Sequence, residues 1–100
     1  MVKREVVWTI SSKKQLRKIL EFYTERNKSN KYSQRLFNKF KENLQIAAQS
    51  PEIGAKTKLE NIRGLIVDDY ILFYEIFKNK IIVLKVWDCR QDPDKLNIPR

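Results

Sequence analysis

The chain has no histidine and a single cysteine, Cys89, among 100 residues. Without histidine the side chain best suited to proton transfer near neutral pH is missing. A lone cysteine forms no internal disulfide, and with no histidine beside it the sequence speaks against a zinc site. Glycine and proline are scarce, two and three residues, so long flexible linkers and low-complexity tracts are absent. No apolar run approaches the roughly 18–20 residues of a membrane-spanning helix. Met1-Val2-Lys3-Arg4-Glu5 passes directly into a strand-like pattern, which points to a chain without a signal peptide. The expectation is a single domain over residues 1–100, cytoplasmic, with no metal and no cofactor.

Negative charge is also scarce. Twenty-one Lys and Arg face twelve Asp and Glu, for a net charge of +9. Between Ser11 and Ser50 ten cations meet only Glu21, Glu25 and Glu42, so that segment alone carries +7. A field of one sign and this size favours a polyanionic partner: RNA, DNA or an acidic protein. The alternative is a pair of solvated helix faces.

Hydrophobic periodicity divides the chain. Val6, Trp8 and Ile10 alternate with polar neighbours and predict a strand at about 2–10, all three pointing inward. Ser11 or Ser12 is the expected N-cap of a helix whose stripe is Leu16, Ile19, Leu20 and Tyr23, with Phe22 beside it, ending near Asn27. Ser29 or Asn30 caps a second helix carrying Leu36, Phe37, Phe40, Leu44 and Ala47/Ala48. Ser50-Pro51 ends it, because the residue before proline avoids helical geometry. Two such helices on so short a link form an antiparallel hairpin.

Residues 51–61 are mixed, with Gly54 as a turn element and Lys56 to Glu60 as a candidate short strand. Ile62–Val67 follows as a strand with Gly64 at a bulge or a close approach. After the turn Asp68-Asp69, a β-prone run from Tyr70 to Phe77 leads through Lys78-Asn79-Lys80 into Ile81–Trp87. In strict alternation Ile81, Val83, Lys85 and Trp87 share one face and Ile82, Leu84 and Val86 the other. The fold class is α+β: a strand, a helix hairpin, then a three-stranded antiparallel meander, β-α-α-β-β-β. The helices cover one sheet face, since nothing else is available to bury it. The tail from Asp88 to Arg100 is expected to be irregular or a short helical turn.

The last strand ends abruptly in polar residues: Trp87-Asp88-Cys89-Arg90-Gln91-Asp92-Pro93. This ending resembles the RelE/ParE superfamily, the toxins of bacterial type II toxin–antitoxin pairs. The match concentrates in residues 62–96, and the element order agrees over nearly the whole chain.

For the RelE-like branch the resemblance implies ribosome-dependent mRNA cleavage, in which a 2′-hydroxyl attacks the adjacent phosphate. That chemistry needs a base, an acid and cations for the developing charge. With no histidine, the candidates are Arg90, Arg63, Lys58 and Glu60 as catalytic residues. Lys56, Lys85, Trp87 and Gln91 are candidates for binding nucleic acid or a partner. Arg90 has two compatible roles: bracing a phosphate, and pairing with Asp88 or Asp92 to pin the tail. Trp87 either stacks on a base, receives a partner segment, or packs in the core. Cys89 is expected to be small and half-buried.

One departure stands out. Many nuclease-type relatives carry Tyr-Arg where this chain has Tyr70-Ile71, so a principal cation is missing. The ParE-like branch implies a toxin without catalytic residues that inhibits DNA gyrase. A domain that only binds its antitoxin or nucleic acid is the remaining alternative. All three imply a neutralising acidic or amphipathic antitoxin and a toxin–antitoxin hetero-oligomer. The cleavage reading adds the ribosome and mRNA as partners.

Overall fold

In the computed structural model, which describes residues 4–97, a short strand β1 (Glu5–Trp8) leads into helices α1 (Ile10–Asn27) and α2 (Lys31–Gln49). Four strands follow: β2 (Ala55–Lys56), β3 (Ile62–Val67), β4 (Tyr70–Ile76) and β5 (Lys80–Asp88). Short 3-10 turns stand at Pro51–Ile53 and Pro93–Lys95. The strands form one sheet in the order β1-β5-β4-β3-β2. β3, β4 and β5 are the expected antiparallel meander, and β1 runs parallel to β5 at the edge, so the sheet is mixed. The parallel pair follows from the helix hairpin, which returns the chain to the end of the sheet where β1 began. Expectations for residues 1–3 and 98–100 lie outside the described residues.

The first strand is shorter than its alternation suggests. Thr9, not Ser11 or Ser12, is the N-cap, its Oγ1 accepting the Ser12 N–H at 3.0 Å. Capping chemistry therefore starts the helix at Ile10, which is turned out to 77% exposure rather than buried. Ser12 is itself fully buried and donates its hydroxyl to the Val83 carbonyl at 2.8 Å, tying α1 to β5. At the other end of α1, Lys28 takes a left-handed conformation with φ of 50°. The Lys28 and Ser29 N–H groups donate back to Glu25 and Thr24 carbonyls, so the helix ends in a hydrogen-bonded hook. Asn30 occupies the cap position of α2 without a side-chain cap bond; Ser29 Oγ instead accepts the Lys31 N–H. The Lys56–Glu60 strand shrinks to Ala55–Lys56, and residues 57–61 form a turn in which Asn61 has φ of 66°.

The helices cover one face of the sheet. Leu16, Tyr23, Leu36, Phe40 and Leu44 pack with Leu65, Val67, Tyr70, Leu72, Tyr74, Ile81, Val83 and Val86. Strict alternation fails along β5. Tyr74 pairs with Val83 and Phe73 with Lys85, so Leu84 is an extra residue, a bulge. One inserted residue shifts the side-chain phase. Ile81 and Val83 before it and Val86 after it therefore all face the helices, while Lys85 and Trp87 face away. Gly64 is a close approach and not a bulge. A Cβ there would sit 2.9 Å from Ile71 Cγ2 and 3.2 Å from Phe73 Cε1 on the sheet's outer face.

Candidate functional site

The meander places the ends of β3 and β5 and the start of β4 along one rim. β5 ends at Asp88, and the chain turns back at once: Cys89 N–H donates to the Asp69 carbonyl at 2.8 Å and Gln91 N–H to the Asp88 carbonyl at 3.0 Å. The Asp88 carboxylate accepts the Arg90 N–H at 2.9 Å and grips the guanidinium through Nε and Nη2, both at 2.9 Å. Nη2 also donates to the hydroxyls of Tyr23 and Tyr70 at 3.2 Å, and Tyr70 donates to Tyr23 at 3.1 Å. The guanidinium carbon lies 5.8 Å from the centre of the Tyr70 ring. Of the two roles expected of Arg90, the ion pair to Asp88 is present, and it pins the turn. Among the described residues, Nη1 has no acceptor, and the side chain stays half-exposed.

Electrostatics hold both members of this ion pair in their charged forms. Hydrogen bonding to Arg90 holds the Asp88 carboxyl below the usual range. The same contact, with Tyr23 beside it, raises the Arg90 guanidinium further above its ordinary value. Burial, then the hydrogen bond with Tyr23, pushes the Tyr70 phenol well above its ordinary value, so it keeps its proton at neutral pH. Cys89 is exposed rather than half-buried, and its thiol is raised by desolvation and by Asp88 and Asp69, which disfavours a reactive thiolate. Tyr70 and Cys89, both raised above their ordinary values, keep their protons near neutral pH.

The other candidates lie elsewhere. Lys85 Nζ donates to the Asn97 carbonyl at 2.9 Å and sits 5.6 Å over the Trp87 ring. The tail thus doubles back beneath the outer face of the sheet. Trp87 faces away from the helices, opposite Ile71, yet is only 6% exposed. Stacking on a base is closed to it in this conformation. Gln91 is exposed and, with Lys85 and Trp87, lines a cleft beside α1.

Lys56, Glu60 and Arg63 share a hollow of about 270 Å³ at the opposite end of β3. Lys58 stands exposed on the turn between them. Arg63 Nη1 donates to the carbonyls of Glu52 at 3.1 Å and Gly54 at 2.8 Å, holding the turn after α2 against β3. Tyr74 supports the same turn, donating to the Pro51 carbonyl at 2.6 Å and accepting the Gly54 N–H at 3.1 Å. Arg63 pairs with Tyr74, whereas Arg90 reaches Tyr70. Those two positions on β4 lie roughly 13 Å apart at about 3.3 Å per residue. The structure therefore divides the eight candidates into two groups. Tyr23 was not among them; it lies on the apolar stripe of α1, and only its hydroxyl meets the rim.

A family model described as the ParE toxin of the type II toxin–antitoxin system, parDE, matches residues 6–93. The chain belongs to the ParE toxin family. Among solved structures it is similar to a chain described as the chromosomal ParDE TA system from P. aeruginosa, with a TM-score of 0.70 at 14% identity. That likeness covers 86% of this chain and 96% of the other, and at so low an identity it speaks for the ParE fold alone. No curated protein matches the sequence. Among the described residues no helix is long and apolar enough to cross a membrane, and no group of His, Cys, Asp and Glu could hold a metal ion.

Proposed function

We propose that this ParE-family toxin inhibits growth by binding its target, DNA gyrase, rather than by cutting RNA. The observation that carries this reading is the separation of the candidate residues. Cleavage by a 2′-hydroxyl needs base, acid and cations within hydrogen-bond reach of one phosphate, about 3 Å. Here Arg90 sits at one end of the sheet and Lys56, Glu60 and Arg63 at the other. Both arginines are engaged in structural hydrogen bonds. Ile71, where nuclease-type relatives carry arginine, pairs with Ile66 and Trp87 on an apolar stretch of the outer face. A toxin that works by surface complementarity tolerates all of this.

The second reading, ribosome-dependent mRNA cleavage, draws on the hollow where Glu60 stands with Lys56 and Arg63. Primer extension on a reporter mRNA, with and without 70S ribosomes, separates the two. The binding reading predicts an uncut message in both; cuts that appear only with ribosomes overturn it.

Neutralisation follows from the same surface chemistry. A groove of about 560 Å³ between the helices has Leu16, Leu20 and Phe37 as its apolar floor, with Lys13 and Arg17 toward one end and Glu21 and Glu25 toward the other. It suits an amphipathic antitoxin helix whose acidic residues face Lys13 and Arg17. Failure of the product of a neighbouring small reading frame to co-purify with the toxin would remove this part.

A further inference from the structure

β5 outruns β1. The parallel pairing of the two ends at Val83, so from Leu84 to Asp88 that edge of β5 meets α1 instead of a strand. Two hydrogen bonds clamp the helix there. Ser12 Oγ donates to the Val83 carbonyl, and Val86 N–H donates to Gln15 Oε1, both at 2.8 Å. Beside the clamp, Lys18 lines the cleft that also holds Lys85 and Lys95, and Lys14 lines the hollow next to it. Two adjoining hollows of about 400 and 490 Å³ share Gln15 and Lys18.

The charge in this cleft is almost uncompensated. Its one carboxylate, Asp88, is taken up by Arg90. None of the four lysines forms a salt bridge among the described residues. α1 has no acid in its first turn, and Lys13, Lys14, Arg17 and Lys18 follow within the next two turns. Cations near a helix N-terminus oppose the macrodipole. A cluster gathered against both its own repulsion and the helix dipole is one whose charge a ligand offsets.

We infer that the α1–β5 cleft binds the phosphate backbone of duplex DNA. Single strands are held by stacking bases on aromatic side chains, and the one ring lining this cleft, Trp87, is covered. An acidic amphipathic peptide has its apolar groove on the other flank of α1, with Leu16, Leu20 and Phe37. What the cleft offers is charge and amides, which read phosphates and not sequence. Lys14 and Lys18 are one helical turn apart, about 6 Å along the axis, against about 3.4 Å per phosphate along each strand of a duplex. The inference goes beyond the gyrase reading and stands apart from it, because its test contains no gyrase.

The test is fluorescence anisotropy of the purified full chain with a labelled DNA duplex and with its single strand, across a salt series. Four phosphate contacts predict a slope of log affinity against log salt of about −3.6, or roughly 150-fold weaker binding between about 50 and 200 mM. K18Q/K95Q reduces the slope to about −1.8 and that loss to roughly 12-fold. K28Q/K31Q, at the far end of the hairpin, leaves both unchanged. A slope indifferent to K18Q/K95Q overturns the proposal, as does one reduced equally by K28Q/K31Q. Tighter binding of the single strand than of the duplex overturns the choice of ligand.

Discussion

Arg90 commits its Nε and Nη2 to Asp88 and shares Nη2 with two tyrosine hydroxyls. Because the guanidinium is half-exposed, the pair is worth on the order of 1 kcal/mol, nearer the surface range than the buried one. Arg90→Ala should lower stability by roughly that amount in urea unfolding and raise the Asp88 pKa toward about 3.9, its ordinary value. The pH dependence has a defined sign. Asp88 is depressed in the fold, so its stabilisation is present above about pH 3.9 and is lost as pH falls through the folded pKa. Asp88→Asn should flatten that acid limb of the urea midpoint between about pH 5 and 2; an unchanged limb would place the acid sensitivity on other carboxylates. Arg90 was legible in the sequence because an apolar strand ended just before it. Tyr23 was not, since a tyrosine on an apolar stripe shows its ring and hides its hydroxyl. The burial of Trp87 was among the alternatives read from the sequence, but its setting on the outer face, beside a tail that returns to Lys85, was not, because no local pattern reports that.

At the scale of elements, two backbone positions carry steric demands of opposite sign. Lys28 closes α1 with φ of 50°, a conformation that costs a side-chain-bearing residue about 1 kcal/mol. Lys28→Gly should therefore raise thermal stability, by up to about 1 kcal/mol or roughly 4–8 °C in Tm; a lower Tm would mean that the hook is not strained. Gly64→Ala should do the opposite. Its Cβ would press on Ile71 and Phe73, and overpacking of this kind costs about 1–3 kcal/mol. Helix periodicity and the Ser50-Pro51 stop fixed α2 well from sequence, because each is local. The bulge at Leu84 was invisible for the opposite reason: it is a property of the β4–β5 pairing, and every apolar residue around it suits either face. Thr9 as the cap was hidden by a β-branched alternation that runs on through Ile10.

At the scale of the whole molecule, the sheet keeps apart the polar groups that the sequence offers as candidates. Residues 56–63 and 88–91 lie toward opposite ends of the meander, with Lys85 between them at the level of Gly64, and antiparallel pairing keeps them there. The helix hairpin meanwhile carries most of the net positive charge, +7 of +9, and a groove lies on either flank of α1. Among the described residues the candidate catalytic groups stand apart, and this separation is what the proposed action by binding rests on. The most direct test is plasmid supercoiling by DNA gyrase titrated with the purified protein. The account predicts that supercoiling falls as protein is added, and that K56A/E60A/R63A inhibits as well as the wild type whenever it remains folded. Unimpaired supercoiling at excess protein would contradict it.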